Sequence, residues 1–321
     1  MAEYKILITD YAWPDLDIEQ SILAKIGAEL VVADHHGAET LADLAVDVDA
    51  IMTCWAQVPE QVITAATNCR IVSRLGIGLD NIDVECCTRR GISVTNVPDY
   101  CLTEVAEHTL ALLLALARNV AIYHWESKNE QYDRQAGAQL RRIEGQTLGV
   151  VGFGRIGRTV ARKAQALGLR VIVATRSLAN IPDSFERCEL NELLSESDFV
   201  SLHLPLTDDT RHIIGPAELT AMKPAAFLIN TARGDLIDHP ALADALKHNQ
   251  LAGAALDVQS PEPPDLSSPP YSDPRVIVTP HAAFVSAESL ILLRERAANQ
   301  VRARLTGAVP DNVVNPTVLK S

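Results

Sequence analysis

The sequence predicts an α/β protein made of two doubly wound domains, each built on a parallel sheet covered by helices. Short apolar runs rich in β-branched residues alternate with helical patterns, which is typical of parallel sheets. The alternation begins near the N-terminus and starts again from Gln146, without a shared repeat period. The length of 321 residues suits two domains of roughly 100–200 residues each.

Composition and charge narrow the classes of partner. Hydrophobic residues make up 47% of the chain, so a substantial core is available. The 28 Lys and Arg residues stand against 41 Asp and Glu, giving a net charge of −13. This balance argues against nucleic acid or an anionic membrane as a partner, because both need a basic surface.

The N-terminus lacks a signal-peptide pattern, and the longest charge-free apolar stretch, 109–117, is too short to span a bilayer. We therefore expect a cytoplasmic protein.

The cysteines and histidines predict neither a disulfide framework nor a metal site. The six cysteines show no CxxC spacing, and reduced thiols are the better interpretation in a chain without a secretion signal. His35 and His36 are adjacent, but no third ligand is identifiable, so we expect no bound metal.

The first set of elements ends at Pro98. One helix is predicted over 18–26. Five short apolar runs predict strands over 5–9, 29–33, 50–53, 70–73 and 92–94.

A long helix follows over 103–118. It begins at Thr103, has acidic residues in its first turn and ends at Arg118, as the helix dipole favours. Apolar residues cover nearly all of its faces from Thr109 onward, which predicts that it is buried.

The second set of elements follows the same alternation. The prolines in 260–270 predict a loop, because they can continue neither a helix nor a central strand. Helices are predicted over 155–167, 240–247 and 287–305. Strands are predicted over 147–151, 170–174, 199–202, 226–230, 253–256 and 276–279.

A GxGxxG motif over 152–157 lies between an apolar strand and an amphipathic helix, which is the context that makes the motif informative. Gly152 permits the tight turn, Gly154 lets the backbone approach a pyrophosphate, and Gly157 lets helix and strand pack closely. The phosphates would lie at the helix N-terminus, beside Arg155 and Ile156, where free N–H groups favour anions. The alternative is a glycine turn without a ligand.

The end of the next strand indicates which dinucleotide is bound. NAD-binding proteins carry an acidic residue there for the ribose 2′-OH. This chain has Thr175, Arg176 and Ser177 instead, so no carboxylate would repel a 2′-phosphate. The two hydroxyls can donate hydrogen bonds to that phosphate and Arg176 can pair with it. NADP is therefore favoured over NAD; the alternative is that Arg176 points into solvent.

Three residues with complementary chemistry follow predicted strands. Arg233 follows the strand over 226–230, Glu262 the strand over 253–256, and His281 the strand over 276–279. Ligands of open α/β sheets bind beyond the carboxyl ends of strands, so the three can converge there. An arginine can hold a carboxylate, a histidine can transfer a proton, and an acid can bias the histidine.

Seven motifs in order resemble the D-isomer-specific 2-hydroxyacid dehydrogenase family, nearest to the branch of the C-terminal-binding proteins and phosphoglycerate dehydrogenases. The resemblance covers nearly the whole chain. Its motifs are LGIGLDNID at 75–83, VAEH at 105–108, GFGRIG at 152–157, SLHLPLT at 201–207, NTARGDLID at 230–238, ALDV at 255–258 and TPHAA at 279–283.

The resemblance implies a domain arrangement and an assembly. A Rossmann cofactor domain, residues 99–286, would be inserted into a flavodoxin-like substrate domain formed by residues 1–98 plus 287–321. Two copies would form a homodimer through their cofactor domains. The active site would lie in the cleft between the domains.

The resemblance also implies roles for single residues in hydride transfer between NAD(P)H and the C2 atom of a small 2-oxo acid or (R)-2-hydroxy acid. Arg233 would bind the substrate carboxylate and carbonyl, His281 would be the general acid, and Glu262 would keep His281 protonated. The N–H groups of Ile77 and Gly78 would also hold the carboxylate. Positions that would line the cofactor are Pro205, Thr210, Thr231 and Asp257.

Two questions stay open at this level. The segment 52–55 offers no arginine for a substrate phosphate, so 3-phosphoglycerate is disfavoured, but the sequence does not identify the acid. The alternative function is a dinucleotide-sensing scaffold, like the corepressors of the same branch, with little turnover. The presence of Arg233, Glu262 and His281 favours the enzyme.

Overall fold

The computed structural model describes residues 2–176 and 181–319, which fold into two compact units. The first comprises Met1–Tyr100 and Ser286–Ser321, and the second Cys101–Val285.

The strands are β1 Tyr4–Ile8, β2 Ala28–Val32, β3 Ala50–Thr53, β4 Ile71–Arg74, β5 Ser93–Thr95, β6 Thr147–Val151, β7 Arg170–Ala174, β8 Glu186–Arg187, β9 Phe199–Leu202, β10 Phe227–Asn230, β11 Gly253–Leu256 and β12 Val276–Val278. The α-helices are α1 Asp17–Leu23, α2 Ala38–Ala45, α3 Glu60–Ala65, α4 Val84–Arg89, α5 Leu102–Ala117, α6 Val120–Lys128, α7 Arg155–Ala166, α8 Leu190–Glu196, α9 Pro216–Ala221, α10 His239–Lys247 and α11 Ala287–Leu305. Short 3-10 helices cover Ala24–Ile26, Gly234–Leu236 and Pro316–Leu319.

The first unit contains a five-stranded sheet in the order β2-β1-β3-β4-β5, with every pair of neighbours parallel. This is the flavodoxin-like order of a doubly wound sheet. The C-terminal helix α11 packs on α1, and Arg294 on α11 forms a buried ion pair with Glu19 on α1 at 2.8 Å. The chain's last helix thus completes the unit that its first hundred residues begin.

The second unit contains a seven-stranded sheet in the order β12-β11-β10-β9-β6-β7-β8. All neighbouring strands are parallel. Read from β8, the order is the Rossmann order with one added strand at the β12 edge. The topological switch point lies between β6 and β9, beyond whose carboxyl ends open α/β sheets bind their ligands.

Helix α5 forms part of the core of the second unit. Leu112, Leu113 and Leu116 are buried in an apolar cluster with strand residues such as Leu148 and Ile229. This burial agrees with the apolar pattern from Thr109 onward. Within the described residues, no single helix is long and apolar enough to cross a membrane; α5 and α6 together meet the test of length and composition but are bent by 64° at the break.

The predicted fold class is confirmed. Each predicted strand is present with bounds that differ by one residue at most, and the helices 103–118, 155–167 and 287–305 match α5, α7 and α11 equally closely. The predicted helix 18–26 is shorter, because its last turn tightens into the 3-10 helix Ala24–Ile26 and ends at Gly27 in the left-handed region.

Candidate active site

The turn after β6 depends on close packing of its backbone. Gly152 has φ of +93°, and a Cβ atom there would lie 2.5 Å from the carbonyl oxygen of His203, so the turn requires glycine. A Cβ atom at Gly157 would lie 2.2 Å from the carbonyl oxygen of Gly152. Strand and helix therefore approach as closely as the motif predicts.

Gly154, in contrast, faces open space. A Cβ atom there would meet nothing within 4 Å, and the residue is the N-cap of α7. Arg155 and Ile156 form the first turn of this 12-residue helix; Arg155 is exposed and Ile156 half-buried. An uncrowded backbone before a helix N-terminus fits a pyrophosphate, because the helix dipole and the first N–H groups favour an anion.

The end of β7 carries an ion pair that includes a residue missed in the sequence. Thr175 is half-buried and Arg176 is exposed. The Arg176 Nη1 atom lies 3.1 Å from Oδ2 of Asp209, with 76% and 79% of the two side chains exposed. Asp209 belongs to the loop after β9, so proximity along the chain gave no signal for it. Ser177 lies outside the described residues.

Two predicted cofactor-lining threonines use their hydroxyls inside the protein. Thr210 is buried, and its hydroxyl donates to the carbonyl oxygen of Pro205 at 2.7 Å and accepts from the N–H of Thr207 at 2.8 Å. The Thr231 and Thr109 hydroxyl oxygens are 2.9 Å apart. Thr210 thus shapes the turn that exposes Pro205, and Thr231 joins the end of β10 to α5.

Glu262 and His281 are in direct contact. The Nδ1 atom of His281 lies 2.8 Å from Oε2 of Glu262, and 25% and 32% of the two side chains are exposed. His281 is in the left-handed region with φ of 52°, and its N–H donates to the carbonyl oxygens of Asp257 and Thr279 at 2.7 and 3.0 Å. This sharp turn after β12 directs the imidazole toward the loop that carries Glu262.

Arg233 is held by the turn after β10. The side chain of Asn230, which is fully buried, donates to the carbonyl oxygen of Arg233 at 2.8 Å and accepts from the N–H of Ala232 at 3.0 Å. Next to Arg233, a Cβ atom at Gly234 would lie 2.1 Å from the carbonyl oxygen of Gln259. The Arg233 turn therefore packs directly on the loop that leads to Glu262.

Asp257, predicted to line the cofactor, is fully buried behind the His281 turn. Its carboxylate accepts from the Thr279 hydroxyl at 2.6 Å and from the N–H groups of Ala282 and Ala283 at 2.9 Å each. His108 on α5 adds a contact, with Nε2 3.4 Å from Oδ1 of Asp257. Burial by itself would raise the pKa of Asp257, but these hydrogen bonds outweigh it and lower the pKa to about 2. The carboxylate is therefore ionised and fixes the turn.

Sequence reasoning also missed Gln259, whose side chain connects the β11 and β12 loops. Its amide Nε2 donates to the carbonyl oxygens of Leu256 and Thr279 at 2.9 and 3.0 Å. A glutamine at the start of a predicted loop carries no distinctive pattern, so only the structure identifies it.

The predicted substrate-binding residues Ile77 and Gly78 belong to the first compact unit and follow β4. Both are half-buried, and the Ile77 carbonyl oxygen accepts from Nδ2 of Asn96 at 2.7 Å. Within the second unit the structure thus brings His281 into contact with Glu262 and packs the Arg233 turn on the loop that leads to Glu262, while Ile77 and Gly78 lie on the first unit.

The Rossmann strand order and the glycine turn with open space before α7 define the class: an α/β protein that binds a dinucleotide. The chain belongs to the D-isomer specific 2-hydroxyacid dehydrogenase family. The family's NAD binding domain matches residues 110–283. The resemblance deduced from the seven motifs is thereby confirmed.

Relatives and a solved structure match most of this chain. A glyoxylate reductase of Aeropyrum pernix is 40% identical over 292 residues, covering 88% of this chain and 87% of that protein. A D-3-phosphoglycerate dehydrogenase of Methanocaldococcus jannaschii is 38% identical over 97% of this chain, which spans 59% of that longer protein. The crystal structure of an NADPH-dependent glyoxylate/hydroxypyruvate reductase from Sinorhizobium meliloti, in complex with NADP and malonate, has a TM-score of 0.87 at 27% identity and covers 98% of this chain and 97% of that one.

Family membership makes the chain an oxidoreductase that acts on CH–OH donors with a nicotinamide dinucleotide. Small hydroxy and oxo acids are the substrates consistent with the family.

Proposed function

We propose that the protein reduces a small 2-oxo acid to the (R)-2-hydroxy acid, with Arg233, Glu262 and His281 as its catalytic residues and NADPH as its preferred cofactor. The observation that carries this proposal is the 2.8 Å contact between His281 and Glu262, beside the loop on which the Arg233 turn packs. When bound, the cofactor supplies the hydride that reduces the keto carbon.

The protein's own residues would handle the charge and the proton. Nδ1 of His281 contacts Glu262, and we assign delivery of a proton to the substrate oxygen to the other ring nitrogen, Nε2. Glu262 holds the imidazole through its Nδ1 atom and so orients the ring for proton transfer. The Arg233 guanidinium would hold the substrate carboxylate and stabilise the negative charge growing on the keto oxygen, an interaction that strengthens in the transition state.

We assign the remaining predicted residues to binding. The region 99–286 would hold the cofactor, with its pyrophosphate at Gly152–Gly157. The region 1–98 plus 287–321 would bind the substrate, with the N–H groups of Ile77 and Gly78 on its carboxylate. Pro205, Thr210, Thr231 and Asp257 would shape the cofactor site, the last three through the hydrogen bonds described above.

The preference for NADP rests on the end of β7. Thr175 has no charge to repel a 2′-phosphate, and within the described part of the chain Arg176 pairs with Asp209 in an exposed ion pair worth about 0–1 kcal/mol. A 2′-phosphate can therefore recruit Arg176 at little cost. We expect kcat/KM to be higher for NADPH than for NADH and the ratio to fall in Arg176→Ala. A higher kcat/KM for NADH would disprove the preference.

The loop after β3 disfavours a substrate phosphate. Asp10 is buried, and its carboxylate accepts from the N–H groups of Cys54 and Trp55 at 2.9 and 2.6 Å, which places a negative charge behind the loop. Arg74 is also buried and donates to the carbonyl oxygen of Leu75 at 2.5 Å. We expect no oxidation of 3-phosphoglycerate with NAD or NADP, and measurable oxidation would contradict this point.

The proposal includes a homodimer formed through the cofactor domain. Helix α6 has no buried residue, and Trp125 on it is 68% exposed. Tyr132, which follows the helix, is 81% exposed. A groove of about 580 Å³ lies beside the helix, with apolar lining residues such as Leu116, Ile122 and Phe227. Such a patch supports an interface with a second copy of the chain. Light scattering should give a dimer that Trp125→Arg dissociates, whereas Val309→Arg, at a site 70% exposed, should leave it intact. A monomeric wild type would refute the dimer.

The central experiment measures oxidation of NADPH and NADH with glyoxylate, hydroxypyruvate, pyruvate and phenylpyruvate. We expect turnover in the wild type and in His248→Ala, whose side chain is 55% exposed, and loss of turnover in His281→Ala. Turnover that survives in His281→Ala would refute the assigned general acid. Dinucleotide binding without turnover of any acid would favour the sensing scaffold instead.

A further inference from the structure

The contact between Glu262 and His281 depends on two separate loops. Glu262 follows β11 and His281 follows β12. Both side chains are partly exposed. An exposed ion pair contributes only about 0–1 kcal/mol, which is too little to fix the positions of two loops relative to each other. Proton transfer needs a more exact arrangement than the pair itself can provide. Some buried group must therefore fix the loops to each other.

Gln259 has the position and the chemistry for this role. It is 6% exposed, and its amide Nε2 donates to the carbonyl oxygen of Leu256, at the end of β11, and to that of Thr279, just after β12. The same Thr279 carbonyl oxygen accepts from the N–H of His281 at 3.0 Å. One amide group thus ties the end of one strand to the turn that carries the histidine.

The backbone of Gln259 engages the other two residues of the set. Its N–H donates to Oε1 of Glu262 at 2.9 Å, which leaves Oε2 to contact His281. Its carbonyl oxygen is the atom on which Gly234 packs, directly after Arg233. Gln259 therefore contacts Glu262, the turn that carries His281, and the turn that carries Arg233.

We propose that Gln259 is a positioning residue for Arg233, Glu262 and His281, acting through the two hydrogen bonds that its side-chain amide donates. The inference rests on the proposed function of those three residues. Gln259 transfers no proton; it sets the distance between the groups that do.

Two variants test the proposal in the full-length protein, using the acid that the wild type reduces fastest among the four named above. Gln259→Met keeps the approximate volume but removes both donors, and we expect kcat to fall by on the order of 10- to 100-fold. The affinity for NADPH, measured by its fluorescence, should stay within twofold, because other loops build the glycine turn. Gln165→Met removes an amide that donates to the Ser184 carbonyl oxygen at 2.8 Å on an exposed surface, and it should retain wild-type kcat.

Gln259→Glu distinguishes a positioning role from a merely structural one, because only the positioning role predicts a pH-dependent kcat. A protonated glutamic acid can donate one of the two hydrogen bonds, whereas the ionised form can donate neither and faces two carbonyl oxygens. The ratio of its kcat to that of the wild type should therefore rise as pH is lowered from 8 to 5.5, and the same ratio for Gln259→Met should stay flat.

The outcomes separate this inference from the proposed function. Wild-type kcat in Gln259→Met, or a ratio for Gln259→Glu that does not change with pH, would overturn the positioning role and leave the proposed function intact. If Gln259→Met does not fold, the pH-dependent ratio of Gln259→Glu decides. A wild type that reduces none of the acids overturns both.

Discussion

His203 links the stability of the cofactor-binding unit to pH. It follows β9, its carbonyl oxygen lies under the Gly152 turn, and its Nε2 atom is 2.9 Å from the Ser201 hydroxyl. Burial lowers the pKa of His203 from 6.5 to about 4. The ring is therefore neutral in the folded protein at neutral pH, and we predict that replacing it with a residue that does not titrate reduces the acid sensitivity of the fold.

The size of the effect follows from proton linkage. Between pH 6.5 and about 4 the unfolded chain binds a proton at His203 that the folded chain does not, so stability falls as pH falls through this window. Over the whole window the free energy of unfolding falls by about 3 kcal/mol, and between pH 7 and pH 5 it falls by about 2 kcal/mol. At roughly 2–4 °C per kcal/mol for a unit of this size, that step lowers Tm by about 4–8 °C.

The assay is thermal unfolding followed by circular dichroism at pH 7 and pH 5. The wild type should lose about 4–8 °C more than His203→Gln over this step. His248→Gln replaces an exposed histidine of the same unit and should behave as the wild type. Equal losses in the wild type and His203→Gln would refute the argument, because His203 would then take up no more protons on unfolding than an exposed ring.

Three further substitutions test the site. Gly154→Val should weaken dinucleotide binding at least tenfold while Tm changes by less than about 2 °C, because its Cβ meets only open space in the protein; calorimetric titration measures the affinity. Asp257→Asn should cost about 2 kcal/mol at pH 7, and because the pKa of Asp257 is lowered to about 2, thermal unfolding should show this deficit narrowing as pH falls below 4. Glu262→Gln should lower kcat by on the order of 100-fold, since it removes the carboxylate that contacts Nδ1 of His281; steady-state kinetics with unchanged kcat would contradict this role.

The sequence predicted the sheets more fully than the helices around them. Each strand of the two sheets except β8 follows from an apolar run, and most of these runs contain β-branched residues, because a strand buried on both faces needs apolar side chains. Glu186–Arg187 forms a two-residue edge strand with both side chains exposed, so it has no apolar pattern to detect. Helix α6 has no buried residue either, and a helix without a buried face lacks the amphipathic period.

Candidate site residues could be named from the sequence where one chemical group at one strand end identifies them, as with Arg233, Glu262 and His281. The residues that hold their loops could not. Asn230 and Gln259 act through hydrogen bonds to the backbone of neighbouring loops, and such partners are fixed by tertiary structure alone. Asp257 was predicted to line the cofactor, but its hydrogen bonds to the His281 turn were not predicted. Asp209 beside Arg176 is the same case on the other side of the glycine turn.

The order of the strands explains how one sheet serves both halves of a dinucleotide. The glycine turn follows β6, with β7 on one side and β9, β10, β11 and β12 on the other. Neighbouring strands lie about 4.8 Å apart, so Arg176 at the end of β7 is about one strand from the turn, and the loops of Glu262 and His281 are three and four strands away, about 14–19 Å. A pyrophosphate at Gly154 would then separate an adenosine end beside Arg176 from a nicotinamide end directed toward Arg233. The proposed function assigns cofactor choice and catalysis to different loops, so Arg176→Ala should change the preference between NADPH and NADH without changing the pH dependence of kcat.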